Sequence, residues 1–154
     1  MNKILSLTRR CVEDYNMISP GDRIAVGVSG GKDSLVLLMA RVRLREFYPV
    51  PFTVEAVTLD LGTSNFAQRN DFSPVARLCR ELDVPYTVIP SQIRWVIFNS
   101  RREKNPCSLC SKMRRGALHA ALQERGISKI ALGHHYDDAV ETFFMSLIFE
   151  GRLS

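Results

Sequence analysis

Residues 29–34 read Ser-Gly-Gly-Lys-Asp-Ser, between an apolar run ending at Val28 and another beginning at Leu35. Gly30 and Gly31 let the backbone turn with positive φ and bring amides close to a ligand without a Cβ in the way. A helix opening near Ser34 would aim its free N–H groups and positive dipole end into the same space. Ser29 and Ser34 add hydroxyls and Lys32 a full charge, an inventory suited to phosphate or pyrophosphate. A tight turn without a ligand would need only one glycine. Asp33 fits anion binding less well, and orienting the loop or holding Mg²⁺ suits its carboxylate better. The Walker pattern fails, because Asp33 follows Lys32 and Val26 stands where the first glycine belongs. The dinucleotide fingerprint fails too, since Ser29 stands two residues after Gly27.

Two further clusters carry chemistry. Gly133, His134, His135, Asp137 and Asp138 precede an apolar helical pattern. Aspartates there commonly serve as caps and dipole partners, so spacing alone leaves a structural role open. Cys107 and Cys110 form a C-x-x-C, which suits an iron–sulfur cluster, half a zinc site or a redox dithiol. His119, nine residues beyond Cys110, would lie about 13 Å along the same helix. Around the pair, Arg101, Arg102, Lys104, Lys112, Arg114 and Arg115 face Glu103 alone, so this window carries the whole formal excess of +5. A patch this concentrated attracts phosphodiesters by counterion release, although a solvated helix face would read the same way.

The elements that must position these clusters alternate. Residues 22–29, 52–60, 85–90 and 128–134 read as strands. Helices are predicted over 34–47, from Ser73 as N-cap with Pro74 in the first turn, over about 108–125 to Gly126, and from Val140 onward. Ile4, Leu7, Cys11, Tyr15 and Ile18 mark one face of an N-terminal helix within 1–19, ahead of a domain over 20–154. Residues 91–106 give no clear pattern; Trp95, Cys11 and Cys79 read as core. Strand–helix alternation implies right-handed crossovers and an α/β fold with an open parallel sheet of four to five strands and helices on both faces. Ligands of such sheets sit beyond the carboxyl ends of the strands. Residues 29–34, Asp60 and 133–138 all fall at that edge. Four strands with no fifth β–α step read as a fragment or shortened version, with an exposed sheet edge.

Composition sets outer limits. The chain has 154 residues, 45% hydrophobic and 24% charged, in the range of one globular domain. Four cysteines are too few and too irregular for a secreted disulfide scaffold. With no membrane-length apolar run and no cleavable leader pattern, a cytoplasmic protein is expected.

S-G-G-x-D-S after a strand resembles the PP-loop of the ATP pyrophosphatase superfamily, whose members cleave ATP between the α- and β-phosphates. The stretches N-P-C-S-L-C-S-K-M-R-R-G and G-H-H-Y-D-D resemble the tRNA 2-thiocytidine synthesising family, from about residue 20 onward. The resemblance implies an adenine nucleotide alpha hydrolase-like, Rossmann-like three-layer fold. It implies adenylation of a cytidine C2 oxygen in tRNA, then replacement of AMP by sulfur carried on a [4Fe-4S] cluster. Ser29, Gly30, Gly31, Lys32, Asp33 and Ser34 would bind the phosphates of ATP. Asp60 would face ribose or adenine, and Gly133 and His134 would lie near the nucleotide. Asp137 or Asp138 would act at the phosphates and target base, as Mg²⁺ ligand or proton acceptor. Cys107 and Cys110 would be cluster ligands; the family's third cysteine lies further downstream than this sequence reaches. Arg101, Arg102, Lys112, Arg114 and Arg115 would receive the tRNA backbone. A sulfur donor such as a cysteine desulfurase and a homodimer are further implied partners. A lysidine-type PP-loop ligase and an ATP-binding remnant without catalysis are the alternatives.

Overall fold

The computed structural model describes residues 2–62, 70–101 and 106–151. In chain order the elements are α1 (Asn2–Asp14), β1 (Asp22–Gly27), α2 (Lys32–Phe47), β2 (Phe52–Asp60), α3 (Ser73–Glu81) and β3 (Tyr86–Pro90). Then come α4 (Ile93–Trp95), continued by a π-helical turn (Val96–Arg101), α5 (Pro106–Glu124), β4 (Lys129–Leu132) and α6 (Tyr136–Met145), continued by a second π-helical turn (Ser146–Glu150). The four strands form one parallel sheet in the order β3-β2-β1-β4. This bears out the expected α/β class.

β1 and β2 carry consecutive rather than alternating apolar residues because both faces of the sheet are covered. On one face Ile24, Val26, Val54 and Ala56 pack with Leu38, Val42 and Leu44 of α2, Val12 of α1 and Cys79 of α3. On the other, Ala25 and Val57 meet Leu122 and Ile127 from α5 and its exit, in a much smaller cluster. An ionic clamp supplements that thin side. The buried Glu55 accepts from Arg23 Nη2 at 3.3 Å and Arg125 Nη2 at 2.8 Å, and Arg23 Nη1 donates to the Arg125 carbonyl at 3.0 Å. The clamp ties the end of α5 to the start of β1, the amino edge of the sheet.

Several expectations change. Cys11 is exposed, as are Ile4, Leu7 and Tyr15. α1 reaches the core only through Val12 near its end; Asn16 turns with φ +48°, and Ile18 then enters the core from the connection rather than the helix. Ser73 is the first residue of α3, not its N-cap. Phe72 holds that position, and the carboxylate of Asp71 accepts from the Ser73 amide at 2.9 Å, relieving one orphan donor of the first turn. The stretch from 91 contains α4 and its π-helical turn, and Trp95 on it is exposed. Cys79 is buried, as expected.

Candidate functional site

The strand order sets the location. β1 leads to β2 and β3 on one side, whereas β4 returns to the opposite side of β1. The crossover that leaves β1, α2, packs on one face of the sheet and the one that enters β4, α5, packs on the other, so the crevice at the carboxyl ends of these two strands is the topological switch point of the sheet. Gly27 and Leu132 pair there, so residues 29–34 and 133–138 flank one crevice. Gly133 is pressed against the glycine loop: a Cβ on it would lie 2.9 Å from the Ser34 nitrogen and 3.1 Å from the Asp33 carbonyl carbon.

The loop is braced from within. Gly30 adopts φ +83°, which explains a glycine at that position, whereas Gly31, expected to turn in the same way, holds an ordinary φ of −74° as the N-cap of α2. Ser34, buried, donates through Oγ to the Gly31 carbonyl at 2.8 Å and accepts from the Ser29 amide at 3.2 Å. The Ser29 hydroxyl lies 3.3 Å from Ser34 Oγ and accepts from the Gly31 amide at 3.3 Å. Both serines therefore shape the loop. The donors it leaves open are main-chain groups: Lys32, Asp33 and Ser34 form the first turn of α2, whose amides have no carbonyl partner within the helix. The exposed Lys32 has no ion-pair partner among the described residues. Asp33 is exposed beside it.

Two residues that spacing did not reveal support the loop from beneath. Thr58 Oγ1 donates to the Val28 carbonyl at 2.6 Å and accepts from the Tyr86 hydroxyl at 2.9 Å. Burial pushes the Tyr86 hydroxyl above its ordinary pKa, which keeps it a donor. The available signal was Thr58 itself, a polar residue inside the buried run of β2.

Around the crevice the acidic residues divide. The Asp138 carboxylate accepts from the His135 amide at 2.7 Å, so it closes the N-terminus of α6, the capping role left open by spacing. Asp137, one residue earlier, is exposed, with His135 Nδ1 at 3.9 Å. His134 is exposed beside the crevice. Asp60 ends β2 at the same edge, but its Oδ1 accepts from the Gly62 amide at 3.0 Å and Asn70 Nδ2 at 2.7 Å, which makes it a loop-forming residue as well.

α5 delivers the cysteines to this edge. Its 19 residues span about 28 Å, against about 20 Å for the six residues of β1. With Arg125 clamped at the amino edge, its N-terminus reaches the carboxyl edge and beyond. Cys107 is exposed, Cys110 half-buried, and both are free thiols. Among the described residues no group of three His, Cys, Asp or Glu side chains is placed to hold a metal. Lys112, Arg114 and Arg115 are exposed on the same helix without ion-pair partners among the described residues. Arg102 and the side chain of Arg101 lie outside the described residues. No helix among the described residues is long and apolar enough to cross a membrane.

A family model described as a PP-loop domain matches residues 4–153. The chain is 42% identical over 153 residues to a tRNA-cytidine(32) 2-sulfurtransferase of Alkalilimnicola ehrlichii, covering 99% of this chain and 48% of that protein. It is 43% identical over 152 residues to the protein of that name in Anaeromyxobacter dehalogenans, covering 98% and 51%. The chain thus spans about half the length of these relatives. The U34-tRNA thiolase NcsA from Methanococcus maripaludis, solved with its [4Fe-4S] cluster, superposes with a TM-score of 0.76 at 26% identity, over 97% of this chain and 50% of that one.

Proposed function

From the premise that the chain belongs to the PP-loop domain family, we propose that residues 29–34 hold the triphosphate of ATP for adenylation of a tRNA cytidine, the first half of a thiolation. The observation that carries this reading is the braced loop, with Gly30 at φ +83° and the free first-turn amides of α2, at the switch point and in contact with Gly133. A dipole end, three amides and Lys32 on one spot favour the most highly charged part of the ligand.

In the proposed reaction the cytidine C2 oxygen attacks the α-phosphorus, forming a new P–O bond. The bond to the bridging oxygen breaks, and pyrophosphate leaves with the electron pair. The loop amides and Lys32 neutralise charge growing on the leaving group. Asp138 is committed to the cap of α6 and acts as a positioning residue. Asp137 is left as the carboxylate available to a proton or to Mg²⁺, and His134 as a neighbour of the nucleotide. Mg²⁺ typically takes one or two carboxylates together with phosphates and water, which suits this sparse acidic set. In the second half a sulfide-level nucleophile attacks C2 and AMP departs with its oxygen.

Cys107 and Cys110 supply two sulfur ligands about one helical turn apart. A [4Fe-4S] cluster is held by more ligands than that, and the described residues do not complete the set. The cysteines fit such a cluster only with ligands from elsewhere, so no step is routed through it. Lys112, Arg114 and Arg115, with Arg101 and Arg102, are the proposed tRNA backbone contacts. The names of the relatives support this substrate. A sulfur donor of the cysteine desulfurase type, a second copy of the chain and a cytoplasmic setting complete the proposal.

Calorimetry tests the first step. Lys32→Ala is expected to weaken ATP binding about 10- to 100-fold, the loss of a hydrogen bond to a charged group. Unchanged affinity overturns the phosphate-loop assignment. Incubation with ATP and bulk tRNA should release pyrophosphate and form adenylated tRNA, with Asp137→Asn suppressing both. Release without tRNA dependence would count against the acceptor.

A further inference from the structure

Trp95 and Phe98 are placed outward by their own helix. Ile93 and Ile97, four residues apart, are 4% and 1% exposed, whereas Trp95 and Phe98 are 42% and 57% exposed. The Arg94 amide donates to the Leu61 carbonyl at 3.0 Å, fixing this short segment to the connection after β2. Burying an aromatic ring of this size contributes roughly 1.5–3 kcal/mol. Two rings forgo much of that gain on one turn, although two isoleucines of the same segment are fully packed.

The surroundings select an occupant. The segment leaves β3 at the carboxyl edge, two strand spacings, or about 10 Å, from the end of β1. It adjoins α5, and Arg94 is exposed beside Trp95. Residues 91–101 and 106–123 contain no Asp or Glu. A protein interface of mixed polarity would carry both signs; exposed aromatics among cations of one sign match a strand of phosphates and bases. Single-stranded RNA is recognised by stacking unpaired bases on aromatic side chains beside a cationic track.

We propose that Trp95 and Phe98 form a stacking platform for unpaired bases of the RNA substrate, beside the cations of α5 and on the rim that holds the glycine loop. The platform rests on the tRNA reading given above and adds how the RNA is gripped: phosphates on α5, unpaired bases on the rings.

Trp95 is the only tryptophan in the chain, so its fluorescence reports on the platform directly. The probes are an anticodon stem–loop RNA with an unpaired loop and inorganic polyphosphate, which carries charge without bases. The stem–loop should quench the wild-type protein and polyphosphate should not. Trp95→Ala and Phe98→Ala should each weaken stem–loop binding about 10-fold while leaving polyphosphate and ATP affinity unchanged, and Trp95→Phe should recover most of the loss. Stem–loop binding without quenching and with unchanged affinity in Trp95→Ala overturns the platform and leaves the tRNA reading standing. Equal losses on stem–loop and polyphosphate also overturn it, because they mark a structural effect. A wild-type protein that binds ATP but no RNA overturns both.

Discussion

Gly27 and Gly133 lie close together at the carboxyl edge, yet they constrain the loop differently. A Cβ at Gly27 would meet Leu132 Cδ2 at 2.6 Å, the mobile tip of a half-exposed side chain that can move away. At Gly133 it would meet the backbone of Ser34 and Asp33, which cannot yield without displacing the first turn of α2. Overpacking of this kind costs about 1–3 kcal/mol, and here it falls on the donors assigned to ATP. Gly133→Ala is therefore expected to weaken ATP binding by about tenfold or more and to lower the melting temperature, while Gly27→Ala changes ATP affinity much less. Calorimetry on the two variants decides; an equal effect would mean that the contact at Gly133 does not set the loop. At this scale the sequence was informative where glycine and charge coincide. The turn at residues 29–34 was legible from residue type, because the positive φ of Gly30 demands glycine. The divided roles of Asp137 and Asp138 could not, because the same two letters serve a cap and a free carboxylate, and only the hydrogen bond from the His135 amide separates them.

Among the elements, α5 has the most to position and little core to hold it, so its clamp should matter. Removing Glu55 leaves two arginine head groups without their shared acceptor. They are about half exposed and can turn to water, which puts the cost below that of breaking a fully buried pair, at about 2 kcal/mol. Glu55→Ala should show that loss in urea denaturation, whereas an exposed pair such as Arg10–Asp14 on α1 should contribute almost nothing. The junction of β1 and β4 adds a pH dependence. The Lys129 ammonium, and secondarily the Ser19 amide, hydrogen-bond Asp22 and lower its pKa. A carboxylate depressed in the folded state stabilises fully above its unfolded value, about 3.9, and that contribution disappears as pH falls through the folded value. Asp22→Asn should flatten the acid limb of the stability profile and leave its neutral-to-basic limb in shape; an unaltered acid limb would rule the pair out as a contributor. The helix–strand alternation behind this arrangement was readable from periodicity, and β2 matched to the residue. The clamp was not readable, since Glu55 and Arg125 lie 70 positions apart and meet only after the crossover is made.

For the molecule as a whole, the two kinds of surface excess had different legibility. The basic excess is visible in composition because a charge needs no partner to be counted. The apolar excess was not: Val140, Phe143, Phe144, Leu147 and Ile148 have helical spacing and form the helix expected of them, yet α6 buries none of its residues. Periodicity reports that a face is apolar, not that something covers it. Phe144, Met145, Leu147, Ile148 and Phe149 are all exposed within residues 144–149, and the last two are 70% and 77% exposed. A contiguous patch of this sort binds apolar surfaces and dyes. The purified chain is expected to enhance the emission of an anilinonaphthalene dye under native conditions and to self-associate with rising concentration in light scattering. Ile148→Lys with Phe149→Lys should suppress both. Because those side chains pack against little, the double variant should stay within about 0.5 kcal/mol of the parent per site in denaturation. That combination distinguishes an uncovered face from a loosened core, for a loosened core would bind the dye as well but would lose stability, not merely stickiness, when charged residues entered it. Dye emission no higher than that of an ordinary folded domain would mean that these rings are covered in solution.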